Sequence, residues 1–244
     1  MLDKFIKYYQ ENQLFIQPDK ILLTVSGGQD SMTMLNLFRS ANLLFEVAHC
    51  NFQLRGEEAN KDEAFIREYC TINKIRFHSI AFNTNEYAAT NGISIQMAAR
   101  DLRYAWFEKI RKENECEFIA TAHHKNDVAE TMLINLTKGT GLPGLHGIRN
   151  KKDKIIRPLL CFDTVEIGGY IQEQEVPFRQ DQSNSDTKYT RNSIRHNVIP
   201  ALEKINPSFI ESVFTASIQF SELEEILGQK IDEEKDRLFV NDND

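Results

Sequence analysis

Residues 26–31 read Ser26-Gly27-Gly28-Gln29-Asp30-Ser31, between the apolar run "KILLTV" (20–25) and the helix-like "SMTMLNLFRSA" (31–41). Glycines at a strand-to-helix turn permit positive φ and let backbone amides approach a ligand closely. The amides of the turn and of the first helical residues then point outward and hold an anion, aided by the helix dipole. The Ser26 and Ser31 hydroxyls add donors suited to phosphate oxygens. Asp30 narrows the reading, because a carboxylate beside a phosphate is repulsive unless a hard cation such as Mg²⁺ lies between them. A Walker A loop, GxxxxGK followed by Ser or Thr, is absent. The plain alternative for two adjacent glycines is a tight structural turn.

A second set of groups follows about a hundred residues later. Asp127 and Glu130 are three apart on a helix expected to start near Asn126, so they share a face. Just before them stand His123 and His124, at an expected strand end. Such carboxylates can hold Mg²⁺ and shield a transferring phosphate. The competing role for Asp127 is capping at the positive end of the helix dipole. No third histidine or cysteine sits at ligand spacing, which argues against zinc. One histidine is expected to hydrogen-bond a phosphate and the other to pack.

These groups need a frame that brings them to one edge. "KILLTV" (20–25), "LFEVAHC" (44–50), "IRFHSIAF" (75–82) and "EFIATAH" (117–123) read as short strands. "SMTMLNLFRSA", "EEANKDEAFIREYCTIN" and "SIQMAARDLRYAWFEKIRKEN" read as helices between them, the last with Ile95, Ala99, Leu102, Trp106 and Ile110 as its core stripe. This alternation predicts an α/β, doubly wound, mainly parallel sheet with helices on both faces, followed by a C-terminal helical segment. Ligands of such sheets bind at the carboxyl ends of the strands, near a topological switch point. After residue 140 come a glycine-punctuated loop, "GTGLPGLHGI", a last short strand in "KIIRPLL" halted by Pro158, and a helix that Asp163 caps with Glu166. The expected division is an N-terminal helix (1–19), a catalytic domain (20–210) and an acidic amphipathic helix (211–244) with Leu223, Ile226 and Ile231 on its apolar side.

Composition bounds the function classes. A net charge of −7 excludes a generic polyanion binder, so any nucleic-acid contact must use local basic patches. Candidates are Arg100 with Arg103, the Lys151-Lys152-Lys154-Arg157 cluster, and Lys188-Arg191-Arg195, each with a solvated charged face as its alternative. The four cysteines (Cys50, Cys70, Cys116, Cys161) form no CxxC pair, against a redox or iron–sulfur site. There is no apolar run of bilayer length and no signal-peptide pattern, so a cytoplasmic protein with no membrane partner is expected.

The hexapeptide S-G-G-x-D-S after a buried strand resembles the pyrophosphate-binding loop of the N-type ATP pyrophosphatase (PP-loop) superfamily. Further stretches occur in order: "HCNFQLRGEEANKDEAF" (49–65), "MAARDLRYAWF" (97–107), "TAHHKNDVAETMLINLTKGTGLPGLHGI" (121–148), "RPLL" (157–160) and "SNSDTKYTRNSIRHNVIPALEKINP" (183–207). Together they resemble the tRNA(Ile)-lysidine synthetase family, from about residue 20 to about 210. Where many members have Asn-His-Gly-Leu-Arg, this chain has Asn51-Phe52-Gln53-Leu54-Arg55, which puts a role for a histidine there in doubt.

The resemblance implies an adenine nucleotide alpha hydrolase-like fold and a reaction using ATP, Mg²⁺, L-lysine and a tRNA(Ile) with a CAU anticodon. The cytosine C2 oxygen attacks the α-phosphate, pyrophosphate leaves, and the lysine amine then displaces AMP. It implies ATP contacts at Ser26, Gly27, Gly28, Gln29, Asp30, Ser31 and Arg103. Catalytic roles fall to Asp30, His123, Asp127 and Glu130, with Asp30 and Asp127 as the Mg²⁺ ligands. One of the two carboxylates on the helix would otherwise deprotonate the incoming ammonium. Arg55, Arg100, Arg191 and Arg195 are the expected tRNA or substrate contacts. Phe52 or Tyr189 could stack on an unstacked anticodon base, with core packing as the alternative for Phe52. Gly139, Gly141 and Gly144 would let a loop close over the site, or make a plain connector. The resemblance adds a homodimer as an expectation, and C-terminal domains that the last helix would link to. The alternatives are a tRNA thiolase making 2-thiocytidine, an ammonia-dependent amide ligase, and a nucleotide-sensing module without chemistry. The first lacks its CxxC cysteines here and the second its glutaminase domain. Against the third stand Asp30, Asp127 and Glu130.

Overall fold

A computed structural model of the protein describes residues 1–180 and 190–238. The chain forms two compact units, the first from residues 1–124 and 150–180, the second from 125–149 and 190–238. This differs from the expected division, because the chain leaves the first unit after His124 and re-enters it at Asn150.

The first unit is a six-stranded sheet in the order β3-β2-β1-β4-β6-β5. β1 (Ile21–Thr24), β2 (Phe45–Asn51), β3 (Phe77–Ala81), β4 (Phe118–Ala120) and β6 (Ile155–Ile156) run parallel, and β5 (Lys151–Lys152) pairs antiparallel with β6. β1 lies between β2 and β4, with Ile21 opposite both Phe45 and Phe118. Side chains alternate faces along a strand. Ile21, Leu23 and Val25 therefore enter one core and Leu22 the other. The first core is closed by α1 (Leu2–Glu11), α2 (Gln29–Ser40), α3 (Glu57–Ile72) and α8 (Thr164–Glu173). The second is closed by Trp106 and Phe107 of α5 (Ile95–Glu113), against Leu22, Ala48 and Ile119. Helices on both faces make the expected doubly wound α/β architecture.

Three local differences have physical reasons. The N-terminal helix is part of the first core: Phe5 packs edge-on to Phe38 at 5.3 Å between ring centroids, and both are fully buried. α4 (Thr84–Asn91) was not expected, since it buries only Thr84 and Ala88 and so shows no apolar stripe. In α5 the stripe is displaced: Ile95 is 47% exposed, and Phe107 takes a core position beside Trp106. The α8 cap forms as expected, with Asp163 Oδ1 accepting from the amides of Val165 (2.9 Å) and Glu166 (2.8 Å) and Glu166 Oε2 accepting from the Asp163 amide. Such a box contributes about 1 kcal/mol.

The second unit is helical. It comprises α6 (Lys125–Thr137), α7 (Leu142–Leu145), α9 (Thr190–Ser193), a π-helical turn (Ile194–Val198), α10 (Ile199–Ile205) and α11 (Phe209–Leu238). Ala129, Ile194, Ile199 and Ile210 are its buried centre, with Leu133, Ile134, Phe209 and Val213 around them. Pro200, at the start of α10, has no amide to bond back by four residues. The Ile199 amide bonds instead to Ile194 O, the five-residue step of a π turn. α11 packs on α6 and α7, yet Leu223, Ile226 and Ile231 of its expected apolar side are each about half exposed or more. None of the helices among the described residues is long and apolar enough to cross a membrane.

Candidate functional site

The strand order reverses at β1: the chain moves outward to β2 and β3, then crosses to β4 on the other side of β1. The crevice between the carboxyl ends of β1 and β4 is the switch point, where open α/β sheets bind ligands. Ser26–Ser31 leaves β1 there, and His123 and His124 leave β4 there.

Ser31 shapes the loop. Its Oγ accepts from the amides of Ser26 and Gly27, both at 3.2 Å, and donates to Gly28 O at 3.0 Å. It also lies 3.2 Å from Ser26 Oγ, which accepts from the Gly28 amide. Gly27 adopts φ +90, a region open to glycine alone at little cost. Gly28 caps α2 in extended conformation with no side-chain acceptor, so the first-turn amides of α2 face the crevice without a capping group. Asp30, in that first turn, keeps 43% of its side chain exposed. Behind the loop, His49 Nδ1–H donates to Val25 O at 2.8 Å, fixing the end of β1. Burial pushes the His49 imidazole below its ordinary pKa, so the ring is neutral in this role.

Of the two histidines, His124 is the one beside the loop: it is buried and its Nε2 lies 3.7 Å from Asp30 Oδ2. His123 is half-buried and its Nδ1 lies 2.9 Å from Thr121 Oγ1. No grouping of the sequence distinguished them. Their partners do: Thr121 for His123 and Asp30 for His124.

Further along the same edge, Arg103 lies over the Phe52 ring at 5.0 Å, and Phe52 stacks on Phe82 at 5.9 Å. Phe52 is thus a packed ring with a guanidinium on it. Arg100 lies over Tyr104 at 5.0 Å and is exposed. Arg55 pairs with the buried Asp62 at 3.2 Å. Asp62 also receives Arg179, whose amide donates to Gly27 O at 2.9 Å. Asp62 lies within the 49–65 stretch but was not singled out there, and Arg179 lies in no quoted stretch. Lys151 and Lys154 lie over the Phe118 ring, and Lys154 pairs with Glu117, so that basic cluster covers an aromatic side chain.

In the helical unit Glu130 has no exposed side-chain surface and binds two arginines. Arg195 contributes Nε at 2.5 Å and Nη2 at 3.1 Å, and Arg191 Nε is at 2.8 Å. Asp127 Oδ1 lies 3.6 Å from Arg191 and 3.7 Å from Arg195. The expected pairs on α6 and at 191/195 therefore meet each other. Two guanidiniums beside Asp127 argue against its holding Mg²⁺ as well. Tyr189 lies outside the described residues, as does Lys188. Gly141 caps the short α7, a Cβ on Gly144 would overlap Thr140 Oγ1 within the loop, and Gly139 has open space around it.

Among the described residues no group of three or more His, Cys, Asp or Glu side chains forms a metal cluster. Mg²⁺ does not need one: it is commonly held by one or two carboxylates together with substrate phosphates. The half-exposed Asp30 beside an amide-lined turn fits that donor set. The four cysteines form no disulfide, and burial pushes Cys50 and Cys70 up to about 12 and Cys116 up to about 11, far from the thiolate that sulfur chemistry needs.

A family model described as PP-loop domain matches residues 2–202. The tRNA(Ile)-lysidine synthase of Bacteroides thetaiotaomicron is 46% identical over 97% of this chain and 56% of its own length. That of Chlorobaculum tepidum is 41% identical over 93% of this chain and 70% of its own. The chain spans about half the length of most of the curated relatives it matches. Among solved structures, a U34-tRNA thiolase from Methanococcus maripaludis superposes with TM-score 0.74 at 19% identity, covering 91% of this chain and 78% of that one. At that identity the likeness is one of fold.

Proposed function

The chain belongs to the tRNA(Ile)-lysidine synthase family of PP-loop proteins, and on that footing we propose that it joins lysine to C2 of the wobble cytidine of a tRNA(Ile) with a CAU anticodon, using ATP. The cytosine C2 oxygen attacks the α-phosphorus, and the bond between the α- and β-phosphates breaks to release pyrophosphate. The ε-amine of lysine, having lost its proton, attacks C2. The C2–O bond breaks and AMP leaves.

Each residue has a place in this reading. On the turn that Ser31 shapes, the uncapped first-turn amides of α2 hold the departing pyrophosphate, and Arg103 adds positive charge. Asp30 would hold Mg²⁺, which would supply charge neutralisation for the phosphates. His124, against Asp30, orients that carboxylate, and His123 donates to phosphate. Asp127, less enclosed than Glu130, takes the ammonium proton. Arg191 and Arg195, whose side chains are 43% and 35% exposed, meet the lysine carboxylate or an RNA phosphate through their guanidiniums. Arg55 and Arg100 supply further RNA contacts. A homodimer and a cytoplasmic setting belong to the same reading, on family resemblance.

The observation that carries the proposal is the Ser31-centred turn at the switch point, an anion cradle with a carboxylate at its rim. The test is nucleoside mass spectrometry of a tRNA(Ile) transcript incubated with protein, lysine and ATP. Conversion of the wobble cytidine to its lysine adduct is expected. An unaltered wobble cytidine with every substrate present would refute the assignment.

A further inference from the structure

The phosphate turn is held from outside by a residue far away in sequence. Gly27 presents its carbonyl to the Arg179 amide at 2.9 Å while its own amide goes to Ser31 Oγ. The Arg179 guanidinium is itself anchored: Nε lies 2.5 Å from Asp62 Oδ1 and Nη2 lies 2.7 Å from Glu58 Oε2. Asp62, 9% exposed on α3, uses its other oxygen for Arg55 at 3.2 Å. One turn further along α3, Ile66 and Phe65 line the space beside the Gly27 α-carbon. Left-handed Gly27 is therefore enclosed by α3 on one side and by residue 179 on the other.

A buried carboxylate shared by two arginines ties their side chains to one point, and removing one partner of such a set leaves the remaining charges poorly compensated. Loss of either side chain loosens the other through Asp62. The geometry points to Arg179 as a positioning residue for nucleotide binding: anchored on Asp62, it fixes the Gly27 peptide so that the turn's amides converge on phosphate. This rests on the reading of residues 26–31 as the pyrophosphate cradle. It adds that the cradle's shape is set by an Arg179–Asp62 strut, and that ATP affinity is its output.

The experiment measures ATP-dependent pyrophosphate release and ATP binding by calorimetry for the wild type, Arg179→Gln, Arg179→Lys, Asp62→Asn and the double variant Arg179→Gln/Asp62→Asn. Arg179→Gln is expected to raise the KM for ATP roughly tenfold, with kcat within about twofold and KM for lysine unchanged. Arg179→Lys, which can still reach Asp62, recovers most of the affinity. The double variant loses no more than the worse single one, because both break the same strut. Arg67→Ala, on α3 but bonded to Glu63 and Ser79, stays at wild-type values. Additive losses, an unchanged KM for ATP in Arg179→Gln, or a fall in melting temperature that accounts for the whole effect would overturn the strut. If the wild type itself neither binds nor splits ATP, the cradle reading fails instead, so the two failures are distinct.

Discussion

Arg195 Nε lies 2.5 Å from Oε1 of Glu130, a carboxylate with no exposed surface. With Arg191 on its other oxygen, Glu130 is a charge anchor for two partly exposed arginines. Breaking a buried pair by removing one partner typically costs ~3–5 kcal/mol. Here the low end, about 3 kcal/mol, is expected because the arginine heads keep part of their hydration. Glu130→Gln should therefore shift the urea midpoint strongly, and activity should fall with it. A variant that melts like the wild type but lacks turnover would make Glu130 a reacting group.

Ser31→Ala removes the acceptor of two loop amides and the donor to Gly28 O. A buried amide left without its partner, here that of Gly27, costs about 1–3 kcal/mol, and at the ~1.4 kcal/mol that separates each factor of ten the KM for ATP should rise about fivefold or more. Steady-state pyrophosphate release reads this directly. Gly27→Ala should do at least as much, since φ +90 strains any side chain.

Asp30→Ala is expected to behave in the opposite way. Its half-exposed carboxylate contributes little to folding, and surface changes of this kind stay within about 0.5 kcal/mol. Thermal melting should be unchanged while AMP formation is abolished. Retained full activity would remove Asp30 from the reaction.

Stability should fall on mild acidification. Burial lowers the pKa of His49 in the first unit and of His146 in the second below the ordinary 6.5. The unfolded chain then binds protons that the folded one refuses. The stability these groups contribute is present in full above pH 6.5 and is lost as pH falls through their depressed folded values. His49→Asn should flatten the melting temperature between pH 7 and about 5.5, leaving the slope due to His146. An unchanged profile would show that His49 ordinarily titrates alike in both states.

What the sequence disclosed and what it hid divide by range. The β1–turn–α2 junction was legible because a buried strand, two glycines and a second apolar run are adjacent signals, and the α8 cap because its box spans only Asp163 to Glu166. Pairing of the 127/130 carboxylates with Arg191 and Arg195 was not, although each pair stood out alone by helical spacing. Arg179 and Asp62 lie on no shared periodicity, so only the fold brings them together. The two units were hidden for the same reason: α6 and α7 interrupt the sheet in sequence while packing with α11. The apolar residues of α11 showed a helical face but could not show that it stays exposed.

The account turns on where ATP is cut. Phosphorus NMR of a reaction containing protein, ATP, lysine and tRNA(Ile) transcript resolves the products without a coupled assay. AMP and pyrophosphate are predicted, in amounts equal to the modified tRNA and reduced together in Ser31→Ala at ATP below the wild-type KM. ADP and inorganic phosphate, or AMP formed equally well by Ser31→Ala, would contradict a pyrophosphate cradle at residues 26–31.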